Sequence, residues 1–242
     1  MKDVLLSFSA IKEFNKSPLH FLTYKAKKKT ETPAMRFGKA VHKLVLEFDQ
    51  FANEYAVAPD CDRRTTVGKN IWNEFTESAS DKTVLTQSEM VSMLDIKHAI
   101  DQHPAANEIV KYCTARELYI ETEIFGHKFH GFVDGFGPGL VFDLKTTMDA
   151  SEYKFTRSME NDLYFVQAAI YCHALGVDEF RFVAVESTAP HMVGVYRLES
   201  EWLELGMKKL ELILDKFNEW DGTAEHYNSN RIVTPRVNPF LI

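Results

Sequence analysis

Between residues 116 and 147 the sequence alternates with a period of two and carries two turn signals, and no other feature constrains the fold as strongly. Leu118, Ile120, Thr122 and Ile124 alternate with Glu117, Tyr119, Glu121 and Glu123, the pattern of a strand with one buried and one wet face. Gly126-His127 offers a two-residue turn, 128–135 reads as a second strand, Gly137-Pro138-Gly139 marks another turn, and 140–147 reads as a third strand. An antiparallel meander results. Two more strands are expected at 179–186 and 192–198, either side of Ala189-Pro190. A helix over 161–175 should end at Gly176 as a left-handed cap, and a long amphipathic helix should fill 199–220.

The chain before the meander reads as helix. Ile11, Phe14, Leu22 and Tyr24 are apolar positions over 7–27, and Ser17-Pro18 splits that stretch into two short helices. Val41, Leu44, Val45 and Phe48 fall at i, i+3, i+4 and i+7 and predict one buried face on a helix over 35–51. Residues 55–70 read as irregular. Thr86-x-x-Glu89 is a capping box opening a helix to about His103, and Pro104 separates it from a short helix over 105–112. The fold class is therefore α/β (α+β): a central mixed sheet with an antiparallel meander, flanked by helices, behind a helical N-terminal part. With 242 residues, 45% of them hydrophobic, and no repeat or linker, one domain is expected. Its parts would be 1–115, mainly helical, 116–220, sheet and helices, and an irregular tail over 221–242. The lack of a long apolar run or a signal-peptide start predicts a cytoplasmic protein with no membrane contact. The three cysteines, Cys61, Cys113 and Cys172, are widely spaced and read as core thiols.

A net charge of −7 argues at first against an anionic partner. Its distribution is uneven, however: residues 1–80 carry a net of +3 and residues 81–242 a net of −10. The basic excess includes Lys25, Lys27, Lys28 and Lys29, followed by Arg36, Lys39 and Lys43. Taken by itself, such a cluster is more simply a solvated loop.

The residues that carry chemistry lie on the meander. Asp143 and Lys145, two apart on one strand, share a face. Asp134, on the preceding strand, joins them only if the hairpin has the right parity. A four-residue loop over 136–139, pairing Gly135 with Leu140, provides it, as does an equivalent bulge. Two carboxylates with an adjacent lysine suit a hard divalent cation, with Lys145 orienting or helping to deprotonate a water, which is chemistry fitted to phosphodiester hydrolysis. By spacing alone, an ordinary hairpin with a surface ion pair fits as well. If Gly126-His127 is a two-residue turn, Glu121 shares the face of Asp134 as a further acid, but so do Glu117 and Glu123.

Gly131-Phe-Val-Asp134, a short loop, and Asp143-Leu-Lys145-Thr-Thr resemble the core of the PD-(D/E)XK nuclease superfamily, in its RecB-like exonuclease branch. Upstream, Phe37-Gly38-Lys39-Ala40-Val41-His42 resembles the Gly-x-x-x-His helix of that branch, and downstream Gln167-Ala-Ala-Ile-Tyr171 resembles its Gln-x-x-x-Tyr helix. The order of the motifs is most similar to the nuclease domain of exodeoxyribonuclease VIII, the RecE type. The resemblance implies a restriction-endonuclease-like core in which Asp134, Asp143, the Leu144 carbonyl and His42 hold one or two Mg²⁺ or Mn²⁺ ions. Lys145 would serve the nucleophilic water, and Gln167 and Tyr171 would position the substrate or Lys145. It implies an exonuclease that resects double-stranded DNA ends for recombination or repair in a bacterial or phage-infected cell, a ring-like homo-oligomer, and a single-strand annealing partner. The basic segment from Lys25 to Lys43 would then meet DNA. Some relatives bind an iron–sulfur cluster through cysteines at both ends of the domain. Here Ser17-Pro18-Leu19-His20 stands at the first of these places and the tail has no cysteine, so no cluster is expected. A structure-specific or single-strand endonuclease of the same fold is the alternative within enzymes, and a catalytically silent DNA-binding scaffold the alternative outside them.

Overall fold

The computed structural model describes residues 4–26 and 32–224. The chain begins with β1 (Leu6–Ser7), α1 (Phe8–Lys16), α2 (Pro18–Ala26), α3 (Pro33–Leu46) and α4 (Phe48–Glu54). Next come β2 (Tyr55–Val57), α5 (Thr66–Ser78), β3 (Thr83–Leu85), α6 (Gln87–Gln102) and α7 (Pro104–Tyr112). The meander follows as β4 (Ala115–Ile124), β5 (His127–Gly137) and β6 (Leu140–Thr147), then α8 (Glu152–Asn161), α9 (Tyr164–Leu175), β7 (Glu179–Glu186), β8 (Val193–Leu198) and α10 (Ser200–Glu219). The central sheet is mixed. β4, β5 and β6 pair antiparallel, β6 and β7 parallel across the α8–α9 crossover, and β8 antiparallel to β7. β2 and β3 form a separate parallel pair.

Each face of the sheet has its own core. On one side Val141, Phe180 and Phe182 pack with α1, α9 and α10 through Ile11, Val166, Leu210 and Phe217. On the other, Leu140, Phe142, Leu144 and Val183 pack with α3 and α6 through Val41, Leu44, Met93 and Ile96. The predicted capping box is formed, with Thr86 Oγ1 accepting from the Glu89 backbone and the Glu89 carboxylate accepting from the Thr86 N–H. Gly176 caps α9 at φ +65°.

Several expectations are corrected. The helix over 35–51 breaks at Glu47 (φ −136°, ψ 51°), so Phe51, not Phe48, turns inward and Phe48 is exposed. Residues 55–70 are not irregular throughout: β2 pairs with β3, Tyr55 with Thr83, and Thr65 caps α5. α8, with only Phe155 and Met159 buried, has too narrow an apolar stripe to be read as a helix. The first turn of the meander is Phe125-Gly126, both left-handed at φ 51° and 74°, rather than Gly126-His127. The second loop is the two residues Pro138-Gly139, with Gly139 at φ +77°, and Gly137 pairs with Leu140. The four-residue loop expected there is two residues shorter, which shifts the register by two and keeps its parity. Cys113 and Cys172 are core thiols, whereas Cys61 is half-buried and donates to the Gly68 carbonyl.

Candidate active site

β5 changes neighbours along one edge, and the site lies at the change. Phe129 and His130 pair with β1, whereas Gly135, Phe136 and Gly137 pair with β6. Residues 131–134 have neither strand beside them. At the same place the alternation of the hairpin inverts. Val133 and Phe136, three apart, pack into one core, while a Cβ on Gly135 would lie 2.0 Å from Phe142, in the other. Across from Asp134 on β4, Glu117 has φ 44°. This irregularity releases Asp134 from the ladder, and its Oδ2 accepts from the Leu144 N–H at 2.7 Å. Continued one residue past its last pair, Gly135 with Phe142, the register of β5 on β6 carries Asp134 towards Asp143 rather than the expected Val141.

Lys145 and α9 complete one side of the site. Lys145 Nζ lies 2.7 Å from Asp143 Oδ2 and donates to Gln167 Oε1 at 3.0 Å. Gln167 Nε2 donates to Asp143 Oδ1 at 2.9 Å and to the Tyr171 hydroxyl at 3.2 Å. Gln167 and Tyr171, one helical turn apart, therefore belong to one network, in which Tyr171 bonds Gln167 and Gln167 bonds Asp143 and Lys145. Gly131 lets the Tyr171 ring approach the strand, since a Cβ there would meet it at 3.0 Å. The ammonium of Lys145 also sits over the Tyr164 ring, 4.5 Å from its centroid.

α3 supplies the other side. Gly38 allows it close to Thr146, 3.2 Å from where a Cβ would stand, and one turn later His42 Nδ1 lies 3.4 Å from Asp134 Oδ2. Ligand atoms of His42, Glu117 and Asp134 all lie within 4.8 Å of one another. This set of imidazole and carboxylate donors fits a hard divalent cation. A second observation agrees. Asp143, 2% exposed, has an Oδ2 in ion-pair range of Lys145 that accepts no well-aligned hydrogen bond, so lone-pair capacity is left on a buried carboxylate oxygen. His42, Glu117 and Asp134 would hold such an ion, with Asp143 alongside.

The charges are strongly coupled. Burial would lower His42, but the Asp134 carboxylate, with Asp143 behind it, raises the imidazole to about 8. Burial would raise Asp134, yet His42, Lys145 and the Leu144 N–H hold it below the ordinary carboxylate range. Burial lifts Asp143 to about 6, with Asp134 adding and Lys145 opposing. Glu117 also rises to about 6, through burial and Asp134. Burial would lower Lys145, but Asp143 and Asp134 overcome it and keep the amine an ammonium well above its usual value.

The other expected residues divide. Glu121 shares the strand face but lies opposite His130, exposed and bonded by the Tyr119 hydroxyl at 2.5 Å, and Glu123 lies farther still, opposite Lys128. Glu117 is the acid brought to the site, chosen by a backbone irregularity that the alternation gives no hint of. Lys25 lines a cleft with Gln167 and Tyr171, and Lys39 lines the cleft of His42 and Asp134. Arg36 is ion-paired with Glu89, and Lys43 is held by Glu47 and Glu54 at 2.7 Å each, so neither is the open cation the basic segment suggested. Lys27, Lys28 and Lys29 lie outside the described residues.

A mixed sheet with two carboxylates and a lysine converging at its split edge defines the PD-(D/E)XK nuclease superfamily core. Residues 7–227 match the model of a "PDDEXK-like domain of unknown function (DUF3799)", and the chain belongs to that family. A crystal structure of a Eubacterium rectale protein described as a "putative exonuclease" is similar over 97% of this chain and 91% of its own, with a TM-score of 0.61 at 13% identity. That likeness shows the shared fold. An alkaline exonuclease from Laribacter hongkongensis aligns over 89% of this chain and 88% of its own, at 12% identity and a TM-score of 0.35. A search of curated proteins returns no significant match.

Proposed function

We propose that the chain, as one nuclease domain over 1–242, is a divalent-metal-dependent deoxyribonuclease that removes nucleotides from duplex DNA ends. The observation that carries this reading is the convergence of Asp134, Asp143 and Lys145 on one buried network, with His42 and Glu117 beside it. In the reaction a water oxygen bonds to phosphorus and gives up a proton to solvent, the bond from phosphorus to the leaving sugar oxygen breaks, and that oxygen takes up a proton from solvent as it leaves. When bound, Mg²⁺ or Mn²⁺ supplies Lewis-acid polarisation of the phosphoryl oxygens. Lys145, held as an ammonium, donates to and orients the water or the developing charge rather than accepting a proton. Gln167 fixes Lys145 and Asp143 against each other.

The RecE-type motif order supports a role in resection for recombination or repair in the cytoplasm, a ring-like homo-oligomer and an annealing partner. Among the described residues no helix is long and apolar enough to cross a membrane. Labelled linear duplex and closed circular DNA, each incubated with the protein and Mg²⁺, test the reading. Digestion of the linear form from its ends, abolished by chelator, with the circle spared, is the expected outcome. Cutting of the circle would identify an endonuclease, and no cleavage of either would leave a binding protein.

Metal binding should depend on pH. An ion must displace protons from Asp143 and Glu117, raised to about 6, and from His42, raised to about 8. The affinity for Mn²⁺, followed by titration calorimetry, is therefore expected to rise from pH 6 to pH 8 and to level off above that. An affinity that does not change over this range contradicts the assigned ligands.

A further inference from the structure

We propose that Tyr119 and Phe132 form a stacking platform for a nucleobase of the cut strand, freed from its pairing partner beside the scissile phosphate. The inference rests on the nuclease reading and adds to it a substrate subsite. Tyr119 and Phe132 are cross-strand partners on β4 and β5, one rung from Glu117 and Asp134. Their ring centroids lie 5.2 Å apart, and they are 47% and 56% exposed. The opposite face of the same hairpin buries Ile120, Ile124, Phe129 and Val133, so its core does not need these two rings.

Position identifies the occupant. Phe132 lines two clefts, one of about 810 Å³ with His42, Lys39 and Asp134, the other of about 520 Å³ with Lys25, Gln167 and Tyr171. Phe132 thus sits on the ridge between the proposed metal ligands and the residues that hold Lys145, with the Tyr119 ring beside it. One rung is two residues, about 7 Å, which is about the step from a phosphate to the base of an adjoining unstacked nucleotide. Lys25 and Lys39 stand in the cleft walls on either side, where a phosphate backbone would run. The Tyr119 hydroxyl donates to Glu121 at 2.5 Å, and His130 lies 6.3 Å from its ring, which sets the orientation of the aromatic face. A flat ring face accepts any base, so the platform would impose no sequence preference.

The test crosses the protein rings with the substrate base. Initial rates with Mg²⁺ are compared on duplexes whose terminal nucleotide, at either strand end, is intact or abasic. The double variant Tyr119→Leu/Phe132→Leu should lower kcat/KM on the intact duplex about tenfold. The abasic site should cost the unaltered protein a similar factor and cost the double variant nothing further. Phe132→Tyr, which keeps the ring, should retain the dependence on the base. An abasic penalty equal in both proteins would overturn the platform while leaving the nuclease reading intact. Absence of any Mg²⁺-dependent cleavage by the unaltered protein would overturn that reading and the platform with it. Sedimentation equilibrium covers the other occupant: if the double variant dissociates an oligomer that the unaltered protein forms, the rings belong to a contact between copies and the proposal fails.

Discussion

Asp134→Asn is expected to reduce Mg²⁺-dependent DNA cleavage on the order of a thousandfold with the fold retained. The amide keeps the shape of the side chain, and its oxygen can still accept the Leu144 N–H now bonded at 2.7 Å. What disappears is the negative charge that attracts His42 at 3.4 Å and that, with Glu117, would bind an ion. Lys145→Ala should lose activity to a similar extent. Lys145→Arg should not restore it, because a planar guanidinium cannot occupy the space of one ammonium between Asp143, Gln167 and the Tyr164 ring. Glu121→Gln is the control. It changes the same strand face two rungs away, where the side chain is exposed, and should leave the rate within about twofold. Rates measured beside circular dichroism of each variant decide the matter. An Asp134→Asn protein that is folded and active, or an inactive Glu121→Gln protein, would show the acids wrongly assigned.

Phe182→Ala is expected to be the most damaging single core change near the site, costing about 3–5 kcal/mol of stability. Phe182 is fully buried and pairs in register with Asp143 across the parallel β6–β7 ladder. It packs with Phe155 at 5.6 Å, Phe180 at 4.8 Å and Tyr164 at 5.9 Å between ring centroids. Because four rings share that space, relaxation cannot close the cavity without moving strands. For a chain of this size the loss should lower the melting temperature by about 10 °C. The ring also lies 5.9 Å below the Lys145 ammonium. Activity measured well below the melting point should therefore fall as well, through a looser Lys145. A melting temperature unchanged within about 2 °C would contradict the packing account.

The regular parts of the fold are legible because their causes are local. The alternation from Leu118 to Ile124, the capping box at Thr86 and Glu89, and Gly176 after α9 each express a short-range rule within a few residues. β2 and β3 are not legible, since three-residue strands gain their stability from a partner distant in sequence. Phe48 illustrates the opposite failure: its spacing is right for a buried face, yet a single break at Glu47 turns it outward.

The site divides along the same line. By itself, the sequence determined that Asp143 and Lys145 share a face and that Gln167 and Tyr171 share another, because strand and helix periods are properties of the covalent chain. For Asp134 it set only a condition, the parity of the hairpin, and the two-residue loop that the structure forms has the same parity as the four-residue loop expected. Only the tertiary structure chose Glu117 over Glu121 and Glu123, by a left-handed residue where the hairpin inverts. Only it brought His42 to Asp134, by passing α3 over Thr146 at Gly38, and paired Arg36 and Lys43 with Glu89, Glu47 and Glu54. Those outcomes depend on long-range register and close packing, where a shift of one residue or one side chain decides which charge meets which, and no local period encodes that.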